Sequence, residues 1–250
     1  KNGKMKITRR NFLYSTLTSL IFFNQRQVTL AHNTSSDNLI SGNTKKEKDA
    51  LIIVDVQNDF CPGGTLAVKN GDTIVKEVNK IQKLFRYVIL TQDWHPKDHT
   101  SFSTSNPDRK VFTTKKMPYG EQVIWPPHCV IGTNGAKFHK DLKTDNANLI
   151  IRKGFRKNID SYSGFFENDR ITSTGLNGVL KSLKIERVFV VGLALDFCVQ
   201  YTALDSVRLG YKTYVIKNAT LPVDIGDSVE QTINNFEKND VKYGKLDEFI

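Results

Sequence analysis

The sequence predicts a doubly wound α/β domain: a parallel sheet covered by helices on both faces. Three observations predict it. Short runs of β-branched and other apolar residues recur without apolar/polar alternation, the mark of strands buried on both faces. Segments with apolar residues at helical spacing lie between them, and that alternation builds parallel sheets. The residues able to do chemistry stand directly after the runs, where open α/β sheets bind their ligands.

Each element has its own signal. ALIIVD (50–55) reads as the first strand, YVILTQ (87–92) as the second, ANLIIR (147–152) as the third, RVFVVGL (187–193) as the fourth and YKTYVI (211–216) as the fifth. A short sixth strand is expected near 241–246, from a weaker pattern. DTIVKEVNKIQKLF (72–85) places Ile74, Val75, Val78, Ile81 and Leu84 at helical period. TGLNGVLKSL (174–183), DFCVQYTALDSVRLG (196–210) and DSVEQTINNFEK (227–238) read as further helices, the second stopping at Gly210. No internal repeat is visible.

Composition excludes several classes. The 250 residues, 39% apolar, suffice for one sizeable core. The formal charge of +10 suggests a nucleic-acid surface, but residues 1–31 hold six Lys and Arg and no acid, leaving only +4 on the rest. That remainder fits an ordinary solvated surface, so no nucleic-acid partner is expected. Three cysteines (Cys61, Cys129, Cys198), far apart, form neither a disulfide framework nor a CxxC zinc motif. Cys61 and Cys129 read as packing residues.

The first 48 residues read as a leader and linker rather than fold. The run Phe12–Phe23 is too short and too polar to span a membrane, which needs roughly twenty apolar residues. Basic residues precede it, and Thr29-Leu30-Ala31 offers a small-residue cleavage point. ITRRNFL (7–13) resembles a twin-arginine export signal, so residues 1–31 are expected to direct the protein to the periplasm. The alternative is a disordered basic tail on a cytoplasmic protein. Residues 32–48, rich in Ser, Asn and Lys, read as a flexible linker, and 49–250 as the folded domain.

On this frame four strands aim polar groups at one edge. Asp55 closes the first strand, Asp93 follows the second with His95 and His99 just beyond, Lys153 follows the third, and Ala194 to Cys198 follow the fourth. Asp-x-His-x3-His offers one hard oxygen and two imidazoles, a set suited to one divalent transition metal, Zn, Fe or Mn, rather than Ca. His128 in WPPHCV is the fourth candidate ligand, with His139 the spare. A lone histidine is usually a surface or capping residue; three donors on one strand-terminal loop argue for metal. A lone Cys is usually buried packing. Cys198 instead opens a helix, where the macrodipole and Lys153 are expected to favour a thiolate nucleophile, with Asp55 to take its proton.

VDVQNDFCPGGTLAV, TQDWHPKDHTSF, WPPHCV, GAKFH, RKGF, DSYSGFF and GLALDFCV, in this order over about residues 50–245, together resemble the nicotinamidase/pyrazinamidase family of isochorismatase-like cysteine hydrolases. The resemblance implies a six-stranded parallel sheet and a catalytic set of Asp55, Lys153 and Cys198. It implies Asp93, His95, His99 and His128 as metal ligands, and an oxyanion hole from the N–H groups of Ala194 and Cys198 beside a cis Leu193–Ala194 bond. Phe60, Trp125 and Tyr162 match the aromatic walls around a pyridine ring. The implied reaction is hydrolysis of nicotinamide, and of pyrazinamide, to the acid and ammonia, in pyridine-nucleotide salvage. Leu195 departs from the family, where many members carry Thr, and that bears on fine specificity. Two rivals stand beside this reading. One is a related amidase acting on another small amide, which the metal loop argues against. The other is a non-catalytic protein binding metal or nicotinamide, which the complete triad argues against.

Overall fold

The computed structural model describes residues 47–250. The expected export signal and all but the last two residues of the linker lie outside the described residues. Among the described residues no helix is long and apolar enough to cross a membrane.

Six strands form one parallel sheet: β1 (Asp49–Val54), β2 (Tyr87–Asp93), β5 (Leu149–Lys153), β6 (Arg187–Leu193), β7 (Lys212–Leu221) and β8 (Lys242–Gly244), in the order β5-β2-β1-β6-β7-β8. All five pairings are parallel. The chain winds outward from β1 in one direction and then from β6 in the other. The strand order therefore reverses between β1 and β6, where such sheets open a ligand crevice. Every residue of β1 is buried, and Ile52 pairs with Ile89 on one side and Val190 on the other. The continuous apolar run is what a strand buried between two neighbours and two helical layers requires. At the β1–β6 contact the backbones are so close that a Cβ on Gly192, whose φ is 112°, would meet the Val54 backbone at 2.1 Å.

The helices are α1 (Val75–Ile81), α2 (Leu176–Ser182), α3 (Gln200–Arg208) and α4 (Ser228–Lys238), all shorter than the sequence suggested. The 72–85 segment is a 3-10 turn, α1, then a second 3-10 turn. Ahead of α3, residues Leu195–Val199 form a π turn. The fifth strand is longer than expected. Val190 faces Val215, but Gly192 faces Thr220, so β7 carries extra residues just where its neighbour approaches Leu193–Ala194. The sixth strand forms, at Lys242–Gly244. One element was not foreseen: a two-stranded antiparallel hairpin, β3 (Thr114–Met117) and β4 (Gly120–Val123), inside the long loop after β2.

Candidate active site

Four residues meet at the carboxyl edge of the sheet. Asp93 and Lys153 are the last residues of β2 and β5 and pair directly in register. Asp55 follows β1, and Cys198 lies in the π turn after β6. Lys153, 1% exposed, sits at the centre. Its Nζ is 2.8 Å from Asp55 Oδ2, 2.5 Å from Asp93 Oδ1, 2.9 Å from the Ser161 carbonyl and 3.4 Å from Cys198 Sγ. Asp55 Oδ1 accepts the Thr91 hydroxyl from β2 at 2.6 Å. Its Oδ2 pairs with the ammonium but receives no aligned hydrogen bond, so a lone pair stays free beside the thiol. Acceptor atoms of Asp55 and Asp93 and the Cys198 sulfur all lie within 4.8 Å of one another.

Burial decides the protonation states. It pushes the Cys198 thiol well above its ordinary value; Lys153 pulls the other way, and the charges of Asp55 and Asp93 raise it further. Burial also lifts Asp55 above the ordinary carboxylate range against the pull of Lys153. Burial works against the Lys153 ammonium too, but Asp55 and Asp93 outweigh it and hold the lysine charged. Burial therefore opposes the thiolate expected from a helix N-terminus and from Lys153. Dehydration of the sulfur outweighs the nearby positive charge, and the turn around it is π rather than the first turn of an α-helix. The Leu193–Ala194 peptide is cis, as the resemblance implied.

Next to Lys153 the metal-type residues converge, with one exception. Asp93, His95 and His128, all buried, bring ligand atoms within 4.8 Å of one another. His95 Nδ1 is 2.9 Å from the Gly154 carbonyl, and His128 Nδ1 is 2.8 Å from the Pro126 carbonyl. Each carbonyl fixes the proton on Nδ1 and leaves Nε2 bare. Those Nε2 atoms face Asp93 Oδ2 at 3.4 and 3.7 Å, and that of His95 has no hydrogen-bond partner. Two imidazoles oriented by backbone acceptors, with bare nitrogens and a carboxylate oxygen turned to one point, fit a divalent cation. His99 does not join this group. Its Nδ1 lies 2.8 Å from the Ser101 hydroxyl and 3.3 Å from the Ser101 N–H, and its Nε2 lies 3.2 Å from the Ile159 carbonyl. His99 falls instead in a second group of possible metal ligands, with His95 and Asp160, which shares His95 with the first.

A cleft opens over the sulfur. Phe60, Trp125 and Tyr162 line it as expected, with Leu66, Phe197 and Val223 completing the apolar wall. Asp93, His128 and Asp160 form its polar end, and Ala194 and Cys198 its floor. Trp125 meets Phe197 edge-on, ring centroids 4.8 Å apart, and its Nε1 donates to the Tyr162 hydroxyl at 3.0 Å. A flat aromatic ring with one polar edge suits this shape.

Several residues that place the site carried no assigned role in the sequence. Gln57 accepts the Asp93 N–H and donates to the Asp93 carbonyl, both at 2.8 Å, clamping the strand end. Asp59 accepts the N–H of Cys129 at 2.7 Å and that of Thr65 at 3.2 Å, tying the His128 loop to the loop after β1. Asp196 accepts the N–H groups of Val223 and Asp224 and the Ser228 hydroxyl, which fixes the Cys198 turn. Gly154, φ 66°, has to be glycine, because a Cβ there would stand 2.4 Å from the His95 ring. Their signal was visible as polar residues crowding strand ends, but not their partners. Cys61 and Cys129 are buried free thiols, as expected of packing residues.

Comparison with known proteins agrees with this geometry. The isochorismatase domain family matches residues 49–241. The nicotinamidase of Acinetobacter baylyi is 50% identical over 181 residues, covering 72% of this chain and 85% of that protein. Among solved structures, an Acinetobacter baumanii nicotinamidase/pyrazinamidase superposes with a TM-score of 0.81 at 47% identity, over 83% of this chain and all of that one. An L. infantum protein solved with nicotinate gives 0.72 at 38% identity, over 82% and 96% of the two chains. The Pyrococcus horikoshii pyrazinamidase solved with zinc gives 0.66 at 31%, over 80% and 99%. Fold, cleft and sequence together place the chain in the nicotinamidase/pyrazinamidase family of isochorismatase-domain hydrolases.

Proposed function

We propose that this protein is a metal-dependent amidase that hydrolyses nicotinamide, and pyrazinamide, to the acid and ammonia through a thioester on Cys198. The observation that carries it is the single ammonium of Lys153, which joins the thiol, Asp55 and the metal-facing Asp93 under one aromatic cleft. Nicotinate in one neighbour supports the substrate class, and zinc in another supports the metal. In the first half-reaction Asp55 takes the thiol proton as Cys198 sulfur bonds to the carboxamide carbon. The N–H groups of Ala194 and Cys198 hold the developing oxyanion. Asp55 then returns the proton to the amide nitrogen, the C–N bond breaks, and ammonia leaves. In the second, Asp55 takes a proton from water, which attacks the thioester; the C–S bond breaks, the thiol regains a proton and the acid departs. Lys153 stays charged throughout and holds Asp55 against the sulfur. A divalent ion on Asp93, His95 and His128 would anchor the ring nitrogen and so set the amide over Cys198.

Ammonia release from nicotinamide by the purified chain tests the reading. Release should fall at least tenfold on removal of metal by a chelator and return with zinc, iron or manganese. Turnover unaffected by complete metal removal would refute the metal dependence, and no release under any metal would refute the amidase.

A further inference from the structure

Asp160 stands apart from the expected site residues, yet it lies at the polar end of the same cleft as Asp93, His128 and Cys198. It is 2% exposed. Its Oδ1 accepts the Ser161 N–H at 2.8 Å and its Oδ2 the Gln122 side-chain amide at 2.9 Å. Both donors are neutral. Among the described residues its carboxylate has no lysine or arginine ion pair, whereas Asp49, Asp55, Asp93 and Glu167 each have one. A buried carboxylate without a countercharge is costly, so it calls for a cation. The groups beside it are imidazoles: one nitrogen each of His95 and His99 lies within 4.8 Å of one of its oxygens.

The charge count around Asp93 points the same way. Asp93 is the only acid of the Asp93–His95–His128 group, and its other oxygen is already 2.5 Å from the Lys153 ammonium. That set offers a divalent ion less than one unshared negative charge. We propose that Asp160 is the second anion of the metal centre, a positioning residue whose charge balances the ion held by Asp93, His95 and His128. Gln122 then ties that charge to the cleft wall, because its amide nitrogen also reaches the Tyr162 hydroxyl at 2.7 Å. The inference rests on the metal part of the function proposed above and not on the identity of the amide.

The test is zinc affinity of the full chain, by competition with a chromogenic chelator, for the unmutated protein and Asp160→Asn. Asn keeps the shape and can still accept hydrogen bonds but removes the charge. Zinc should bind roughly 10–100-fold more weakly, while the metal-free melting temperature stays level or rises, since an unbalanced charge has gone. Unchanged zinc affinity overturns the proposal, as does failure of the unmutated chain to bind zinc at all. Should Asp160→Asn not fold, Asp160→Glu and Asp160→Gln form a second pair of equal size. Glu should then bind zinc at least about tenfold more tightly than Gln, and equal affinities overturn the proposal. Because the readout is binding, a chain that loses zinc affinity as stated but releases no ammonia would refute the amidase and leave this role of Asp160 intact.

Discussion

The two ends of β1 each carry an acid, and the two acids keep different company. At the amino end Asp49 meets one arginine, Arg187, which begins β6. Two parallel hydrogen bonds of 2.7 and 2.5 Å use both carboxylate oxygens. The same guanidinium lies 5.1 Å from the Phe189 ring and 5.7 Å from that of Tyr214. One cation answers one anion, and every lone pair that matters is taken. At the carboxyl end Asp55 shares one lysine with Asp93 and a thiol, and one of its oxygens is left without an aligned donor. The first arrangement holds two strands together. The second is unsaturated and can accept a proton. The same kinds of charge serve structure or chemistry according to whether donors and acceptors balance.

Breaking the reactive end has the largest expected effect. Cys198→Ala should lower ammonia release by about 10⁴-fold or more, since nothing else in the cleft forms the thioester. Zinc affinity should survive, because the sulfur is not among the Asp93, His95 and His128 donors. Activity near that of the unmutated protein would dismiss Cys198 as nucleophile.

Asp55→Asn should cost roughly 10²–10⁴ in kcat/KM, the usual contribution of a positioned base. Its pH profile sharpens the comparison further. Asp55 works only when ionised, and burial raises its value, so kcat/KM should fall as pH drops through a point above about pH 4. Residual activity of Asp55→Asn should lack that acid limb. A limb at the same pH in the variant would assign it to another group.

Neutral replacement of the two cations compares the ends directly. Lys153→Met strands two adjacent buried carboxylates and should reduce unfolding free energy by about 3–5 kcal/mol in denaturant titration. Arg187→Met strands one acid, Asp49, buried beside an arginine whose own side chain is 21% exposed, and should reduce it by about 1–3 kcal/mol. Equal losses would show that the unsaturated end stores no more than the saturated one. The smallest effect belongs to the cleft wall. Trp125→Phe keeps a ring but loses the 3.0 Å hydrogen bond to Tyr162. KM for nicotinamide should rise about fivefold, equivalent to about 1 kcal/mol, with kcat little changed.

Where the sequence was informative, burial was the reason. Strands enclosed on both faces must be apolar throughout, so β1, β2 and β6 stood out as runs, and the polar residue ending each run fell at the sheet edge. That located Asp55 and Asp93, while Lys153 was legible as the end of a run in an edge strand, β5, that leaves Ile150 and Arg152 exposed, and Cys198 as part of the turn after β6. The hairpin of β3 and β4 was hidden because its strands are four residues long and lie on the surface, with largely polar sequences. Asp160 was hidden because it lies in a loop, and its neighbours His95, His99 and Gln122 are remote in sequence. His99 had the right donor type at a plausible spacing, but spacing does not say that it sits with His95 and Asp160 rather than with Asp93 and His128. For Cys198 the charge of Lys153 was legible and the dehydration that outweighs it was not, since that depends on packing from several elements.

The ammonium of Lys153 has a thermodynamic consequence. It contacts both Asp93, which faces the proposed metal position, and Cys198, the proposed nucleophile, so the two would draw on one charge. A cation that engages Asp93 weakens that acid's hold on the ammonium and leaves more of its field for Asp55 and the sulfur. Binding free energies are reciprocal, so a metal on Asp93 that shifted the proton affinity of the Cys198 thiol would have its own affinity shifted by the same factor when the thiol ionises. On the proposed function, capping the sulfur and removing the metal would then be coupled perturbations of one site, and occupancy at either position would report on the other.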